Sequence, residues 1–201
     1  MVITYTYGEK LYINLTNRCP NACEFCVREQ GAGLGDADSL WLEREPTREE
    51  VLEELKQRDL NSYPEVVFCG YGEPCCRLDD MLWLCGKIRE LSDVTIRVNT
   101  NGLSDLINKR PTAAEMDGLV DVISISLNAS SAEKYDALCH SEFGLEAFPA
   151  ILRFTREASL HVPRVYLSVV DKDMPQSEIA ACERICEEAG AVFRVRKYIG
   201  S

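Results

Sequence analysis

An α/β fold of six mainly parallel strands, curved into a partial (β/α)6 barrel, is predicted by three observations. Short apolar stretches with period-two alternation recur six times along the chain. Helical patterns fall between them, which calls for parallel pairing through right-handed crossovers. In several strands the face opposite the apolar one is polar, so helices outside leave a polar concave interior. Buried polar groups there would each cost about 1–3 kcal/mol if unpaired, a demand that a polar ligand meets. A sheet with one face in water is the alternative, and crossover helices disfavour it.

The first strand is expected at Lys10–Leu15, with Leu11, Ile13 and Leu15 on one face and Tyr12, Asn14 and Thr16 on the other. Residues 31–38, three of them glycine, read as a mobile insertion. A helix at Thr47–Asp59 opens on a Thr-x-x-Glu capping box, Thr47 and Glu50. The second strand, Glu65–Cys69, leads to a helix at Leu78–Leu91. The third, Val94–Asn99, sets Ile96 and Val98 against Thr95, Arg97 and Asn99, and is followed by a helix at Ala113–Leu119. The fourth, Asp121–Leu127, sets Ile123, Ile125 and Leu127 against Ser124, Ser126 and Asn128. Helices follow at Ser131–Leu138 and Leu145–Ala158. The fifth strand is Arg164–Val170, and the next helix, Gln176–Ala189, stops at Gly190, a suitable C-cap. The sixth, Val192–Ile199, places Arg194, Arg196 and Tyr198 on the polar side. No repeat or low-complexity tract divides the chain, so residues 1–201 are expected to form one domain.

Acidic residues outnumber basic ones, 33 to 22, for a formal charge of −11. That balance disfavours nucleic acid as a partner, since phosphate neutralisation needs a basic surface. Residues 1–10 carry no basic segment followed by an apolar run, and no stretch approaches the roughly 18 apolar residues of a membrane span. A cytoplasmic, membrane-free protein is expected. Its ten cysteines then read as free or metal-bound thiols rather than a disulfide framework.

The first strand runs into Thr16-Asn17-Arg18-Cys19-Pro20-Asn21-Ala22-Cys23-Glu24-Phe25-Cys26, a C-x3-C-x2-C spacing. Three thiolates on one loop leave an open position on an iron-sulfur cluster, which usually takes four. A zinc ion with a distant fourth ligand would use the same cysteines. Electron-carrier ferredoxins have different spacings.

With an aromatic residue before its third cysteine, this motif resembles that of the radical S-adenosylmethionine superfamily. The resemblance implies a TIM-like partial barrel, a [4Fe-4S] cluster on Cys19, Cys23 and Cys26, and S-adenosylmethionine as second cofactor. It implies that an electron from the cluster splits the sulfonium to a 5′-deoxyadenosyl radical, which takes hydrogen from a substrate. A reductant such as flavodoxin or ferredoxin would be needed. Gly70-Tyr71-Gly72-Glu73-Pro74 resembles the family's GGEP motif, with Tyr71 in place of a glycine, so Gly72, Glu73 and Pro74 are expected to hold the methionine end. Asn99 and Asn101 after the third strand, Ser126 and Asn128 after the fourth, and Phe25 are expected at the adenosyl group. The ordered set CPNACEFC, GYGEP, VNTNG and SLNA is most similar to the TatD-associated members, which suggests a TatD-type hydrolase as pathway partner. The substrate, a peptide, protein or small metabolite, has no motif. A glycyl-radical activase and a non-enzymatic iron-sulfur regulator are the other readings.

Seven cysteines lie outside the motif. Cys182 and Cys186, one helical turn apart, and Cys85 are expected to pack in the core. Cys75 and Cys76 lie near the GYGEP turn, but as adjacent residues they make a poor chelating pair. Cys139 beside His140 is a candidate reactive thiol. Arg194 and Arg196 are candidates for a substrate carboxylate or phosphate, or for pairing with the chain's own acids. Asp171, Lys172 and Tyr198 are further possible substrate contacts.

Overall fold

The computed structural model describes residues 1–30 and 33–198. Among them seven strands form one sheet in chain order: β1 (Thr4–Tyr7), β2 (Lys10–Ile13), β3 (Glu65–Phe68), β4 (Thr95–Thr100), β5 (Val122–Ser126), β6 (Arg164–Val170) and β7 (Val192–Arg196). The β1–β2 pair is antiparallel and every later pair is parallel. The sheet is an open α/β half-barrel, with β1 and β7 as its edges.

Each parallel step crosses over through helix, as right-handed connections require: α1 (Arg48–Lys56), α2 (Leu78–Leu91), α3 (Ser104–Asn108), α4 (Ala132–Cys139) with α5 (Ala147–His161), and α6 (Gln176–Glu188). The capping box forms as expected, Glu50 N donating to the Thr47 side chain and Thr47 N to the Glu50 carboxylate. Gly190, with φ of +76°, ends the last crossover helix in a conformation that glycine adopts freely. The outward residues of the strands, Leu11, Ile13, Val66, Phe68, Ile96, Val98, Ile123, Ile125 and Leu167, form one core with the inner faces of the helices. Cys85, Cys182 and Cys186 are buried in that core, as packing residues.

Three expectations are corrected. The expected six strands become seven, because Thr4–Tyr7 pairs with β2 across the two-residue turn Gly8-Glu9. This strand is made of Thr and Tyr alone, so it lacks the aliphatic alternation used to find the others. The expected helix at Ala113–Leu119 is a short 3-10 turn, Ala113–Met116, and α3 had no prior signal. The insertion at 31–38 was expected to be mobile, but its described part is tied to β1: Asp36 N donates to Thr6 O at 3.1 Å and Thr6 N to Asp36 Oδ1 at 2.7 Å. Residues 31 and 32 lie outside the described residues, as does Ile199, the expected end of the last strand.

Candidate active site

The C-terminal ends of β2 to β7 surround a cavity of about 490 Å³. Cys19, Cys23, Cys26 and Phe25 line it from one loop. Gly72 and Glu73 line it after β3, Asn99 and Asn101 at and after β4, Ser126 and Asn128 at and after β5, and Arg196 from β7. Pro74 does not; it is buried as the first residue of a 3-10 turn capped by Glu73.

The cysteine loop is held from two sides. On one side Glu73 N donates to Arg18 O at 2.8 Å. A Cβ on Gly72 would lie 2.2 Å from Thr16 O and 2.7 Å from Arg18 O, so only glycine lets the two loops meet. That glycine therefore serves contact within the chain first. On the other side the end of α4 takes the loop's amides: Ala22 N donates to Cys139 O at 3.0 Å and Glu24 N to Leu138 O at 3.1 Å. Asn21 Nδ2 donates to the Tyr135 hydroxyl at 2.8 Å. None of these three α4 contacts was signalled by a motif.

Glu73 is buried and its carboxylate is already engaged. Oε1 accepts from Cys75 N at 3.0 Å and Thr100 Oγ1 at 2.7 Å, and Oε2 from Asn101 N at 2.7 Å. Burial pushes its carboxyl above the ordinary range, against those hydrogen bonds. It ties the ends of β3 and β4 together. Asn101 turns toward the cysteines, with Nδ2 4.0 Å from Cys19 Sγ.

The thiols do not close on one point: among the described residues no three Cys, His, Asp or Glu side chains converge tightly enough for a single metal ion. A multi-iron cluster, whose irons each take one thiolate, would use the three cysteines that line the cavity. Burial pushes the Cys19 thiol up to about 12, and the Cys139 hydrogen bond followed by burial pushes Cys23 higher, so thiolate formation waits on metal charge. Three buried oxygens, Asn21 Oδ1, Asn99 Oδ1 and Asn128 Oδ1, belong to residues lining the cavity and have no hydrogen-bond partner from the chain. Such orphaned acceptors fit a polar ligand beside the cysteines. Asn128 also holds a φ of +60°, which few side chains adopt.

Of the other candidates, Cys139 is fully buried behind the loop, its Sγ 3.8 Å from Asn128 Nδ2. Its neighbour His140 turns toward Glu24 Oε1 at 3.3 Å. The left-handed backbone of His140, at the C-cap of α4, sends the two side chains apart. Arg194 does not reach the cavity; its guanidinium lies 3.6 Å from the Tyr166 ring centroid. Arg196 does, donating to Ser126 Oγ at 3.0 Å. Tyr198 also lines it, and its amide donates to Asp171 Oδ1 at 2.7 Å, with Lys172 Nζ 4.9 Å from the Tyr198 ring.

A family model described as Radical SAM superfamily matches residues 13–184. The chain belongs to the radical S-adenosylmethionine superfamily. Its members require a [4Fe-4S] cluster and S-adenosylmethionine, and the chain is an enzyme of that family. It is 29% identical over 191 residues to the GTP 3′,8-cyclase of Corynebacterium glutamicum (strain R), covering 92% of this chain and 47% of that protein. It is 30% identical over 127 residues to the molybdenum cofactor biosynthesis protein 1 of Dictyostelium discoideum, covering 62% of this chain and 18% of that one. Streptococcus suis SuiB bound to its precursor peptide SuiA shares the fold with a TM-score of 0.71 at 18% identity, over 96% of this chain and 40% of SuiB. The S-adenosylmethionine-bound form of SuiB gives 0.69 at 16% identity, over 97% and 42%. The chain thus spans less than half the length of these relatives. Among the described residues no helix is long and apolar enough to cross a membrane.

Proposed function

We propose that residues 1–201 act as one radical-generating core, and that its substrate is a small anionic molecule. The cavity that joins three cysteines to orphaned acceptors carries the first half of this reading. When bound, the reduced cluster supplies the electron that splits S-adenosylmethionine to methionine and a 5′-deoxyadenosyl radical. Cys19, Cys23 and Cys26 would hold that cluster. Asn99 and Asn128 would offer their free oxygens to the ribose hydroxyls or adenine amine, with Ser126 and Phe25 beside them. Gly72 and Glu73 would present the methionine end, with Pro74 fixing the turn behind them.

Arg196 carries the second half. Arg196 lines the cavity and donates to Ser126 Oγ, and among the described residues no carboxylate is ion-paired with it. Its side chain is exposed at the cavity mouth, where its planar fork could pair with a carboxylate or phosphate. The likeness to GTP 3′,8-cyclases, at 29% identity, favours a small-molecule substrate over a peptide. The ordered motifs also support a place among the TatD-associated members, with a TatD-type hydrolase as pathway partner, a flavodoxin or ferredoxin as reductant, and a cytoplasmic setting.

Anaerobic reconstitution with iron and sulfide, then dithionite and S-adenosylmethionine, tests the core reading by chromatography of 5′-deoxyadenosine. Product that disappears in Cys23→Ala is the expected outcome. Bound zinc with no cluster would overturn it. For the substrate class, GTP and a carboxylate-rich peptide serve as probes; acceleration by GTP that Arg196→Gln removes supports the small anion, while acceleration by the peptide alone rejects it.

A further inference from the structure

Cys69 stands apart from the other cysteines outside the motif: among the described residues it is the one that lines the cavity. It follows β3 directly, where Val66 and Phe68 pack outward into the core. The alternation therefore turns Cys69 toward the concave side, beside Asn99 in the next strand, one step beyond the Phe68–Val98 pair. Its neighbour Asn99 lines the same cavity. Its backbone is fixed on both sides: Cys69 N donates to Ile13 O at 3.0 Å, and the Tyr5 hydroxyl donates to Cys69 O at 3.1 Å. A thiol is thus held on a rigid strand end against the residue expected at the adenosyl group.

We propose that Cys69 is a catalytic thiol that donates a hydrogen atom to a carbon-centred radical formed in this cavity. The inference rests on the radical reading above. The sulfur–hydrogen bond is weaker than the carbon–hydrogen bond it makes, so transfer runs downhill. In the step, the carbon radical and Cys69 S–H become a carbon–hydrogen bond and a Cys69 thiyl. The thiyl returns to thiol by taking one electron from the one-electron donor that reduces the cluster and one proton from solvent. A substrate that loses one hydrogen atom to the adenosyl radical and regains one from Cys69 is neither oxidised nor reduced. Its net change is then an inversion at carbon or a rearrangement. Burial raises the thiol pKa, which keeps the sulfur protonated, as a hydrogen-atom donor requires and a nucleophile does not.

The first test needs no cluster. Metal-free protein is treated with methyl methanethiosulfonate in alkaline buffer, where accessibility rather than protonation sets the order of labelling, and mapped by mass spectrometry. Cys69 is expected to label before Cys85 and Cys182, which lie in the core; labelling no faster than theirs overturns the placement. The second uses the cluster-loaded protein in deuterated, thiol-free buffer with dithionite and S-adenosylmethionine but no substrate. Wild type should yield 5′-deoxyadenosine carrying deuterium from the exchanged thiol, and Cys69→Ser should yield 5′-deoxyadenosine that has lost it. Undiminished label in Cys69→Ser overturns the proposal while leaving the radical reading intact. No 5′-deoxyadenosine from wild type overturns both.

Discussion

The concave face of the sheet is polar at both ends, yet the two ends differ in how their polar groups are met. At the floor, near the strands' N-terminal ends, Glu65 is ion-paired with Lys10 Nζ at 2.6 Å and accepts from Arg97 Nη2 at 2.8 Å, and Arg194 covers the Tyr166 ring. Arg97 Nε and the ion-paired Glu65 Oε2 are the floor's buried atoms without a hydrogen-bond partner among the described residues. At the mouth, Asn21, Asn99 and Asn128 each leave a buried oxygen unmet, and Arg196 meets a serine. A polar interior therefore does not by itself mark a ligand. At the floor the buried charges are paired with each other, whereas at the mouth, where a barrel's chemistry gathers, three neutral amide oxygens have no partner from the chain.

The comparison breaks most sharply at Glu73, the one mouth residue that behaves like the floor. Glu73→Ala removes the acceptor of two backbone amides and Thr100, so stability to urea should fall by about 3 kcal/mol, from unpaired donors at about 1–3 kcal/mol each. A loss confined to S-adenosylmethionine binding, with stability unchanged, would make Glu73 a ligand contact instead of a tie. At the floor, Glu65→Gln should cost about 2 kcal/mol, between the values for exposed and buried ion pairs. Although burial pushes the Glu65 carboxyl up, its pairing with Lys10 and Arg97 holds it below the ordinary range. A depressed folded value stabilises above the unfolded pKa and is lost as pH falls through the folded one. The gap between wild type and Glu65→Gln in urea melts should accordingly be full at neutral pH and close under acid. A gap that does not change with pH would mean the floor is held by packing alone.

The inner strands and every helix but the short α3 were legible because their signals are local and periodic: Thr47 and Glu50 cap α1, and the 3.6-residue pattern over Leu78–Leu91 gives α2 its full extent. The cysteine loop was legible as spacing, since cluster ligation demands several sulfurs on one short loop. What escaped depends on neighbours across the sheet. β1 exists through its partner β2, with little aliphatic content of its own. Cys139 and His140 are adjacent in sequence but part at a helix terminus, whereas Cys69 and Asn99 lie 30 positions apart and meet through strand register. Arg194 and Arg196 share a strand face, yet Tyr166 captures the first and the cavity receives the second. Alternation could place both arginines inside, but not choose between them.

The smallest expected effect on stability is also the most telling about the mouth. Asn99→Ala removes a side chain whose oxygen has no partner in the chain, so it should shift the urea midpoint by no more than about 0.5 kcal/mol, the range of substitutions that break nothing. If that oxygen instead receives a donor from S-adenosylmethionine, its loss should weaken binding by about 1 kcal/mol, roughly fivefold, in calorimetry on the cluster-loaded protein. The pairing of the two results carries the meaning, because floor residues should behave in the opposite way. Glu65→Gln should move stability and leave S-adenosylmethionine affinity untouched. Were Asn99→Ala to cost stability without changing affinity, its oxygen would be answered within the folded chain, and the distinction between mouth and floor would fail at the residue that defines it.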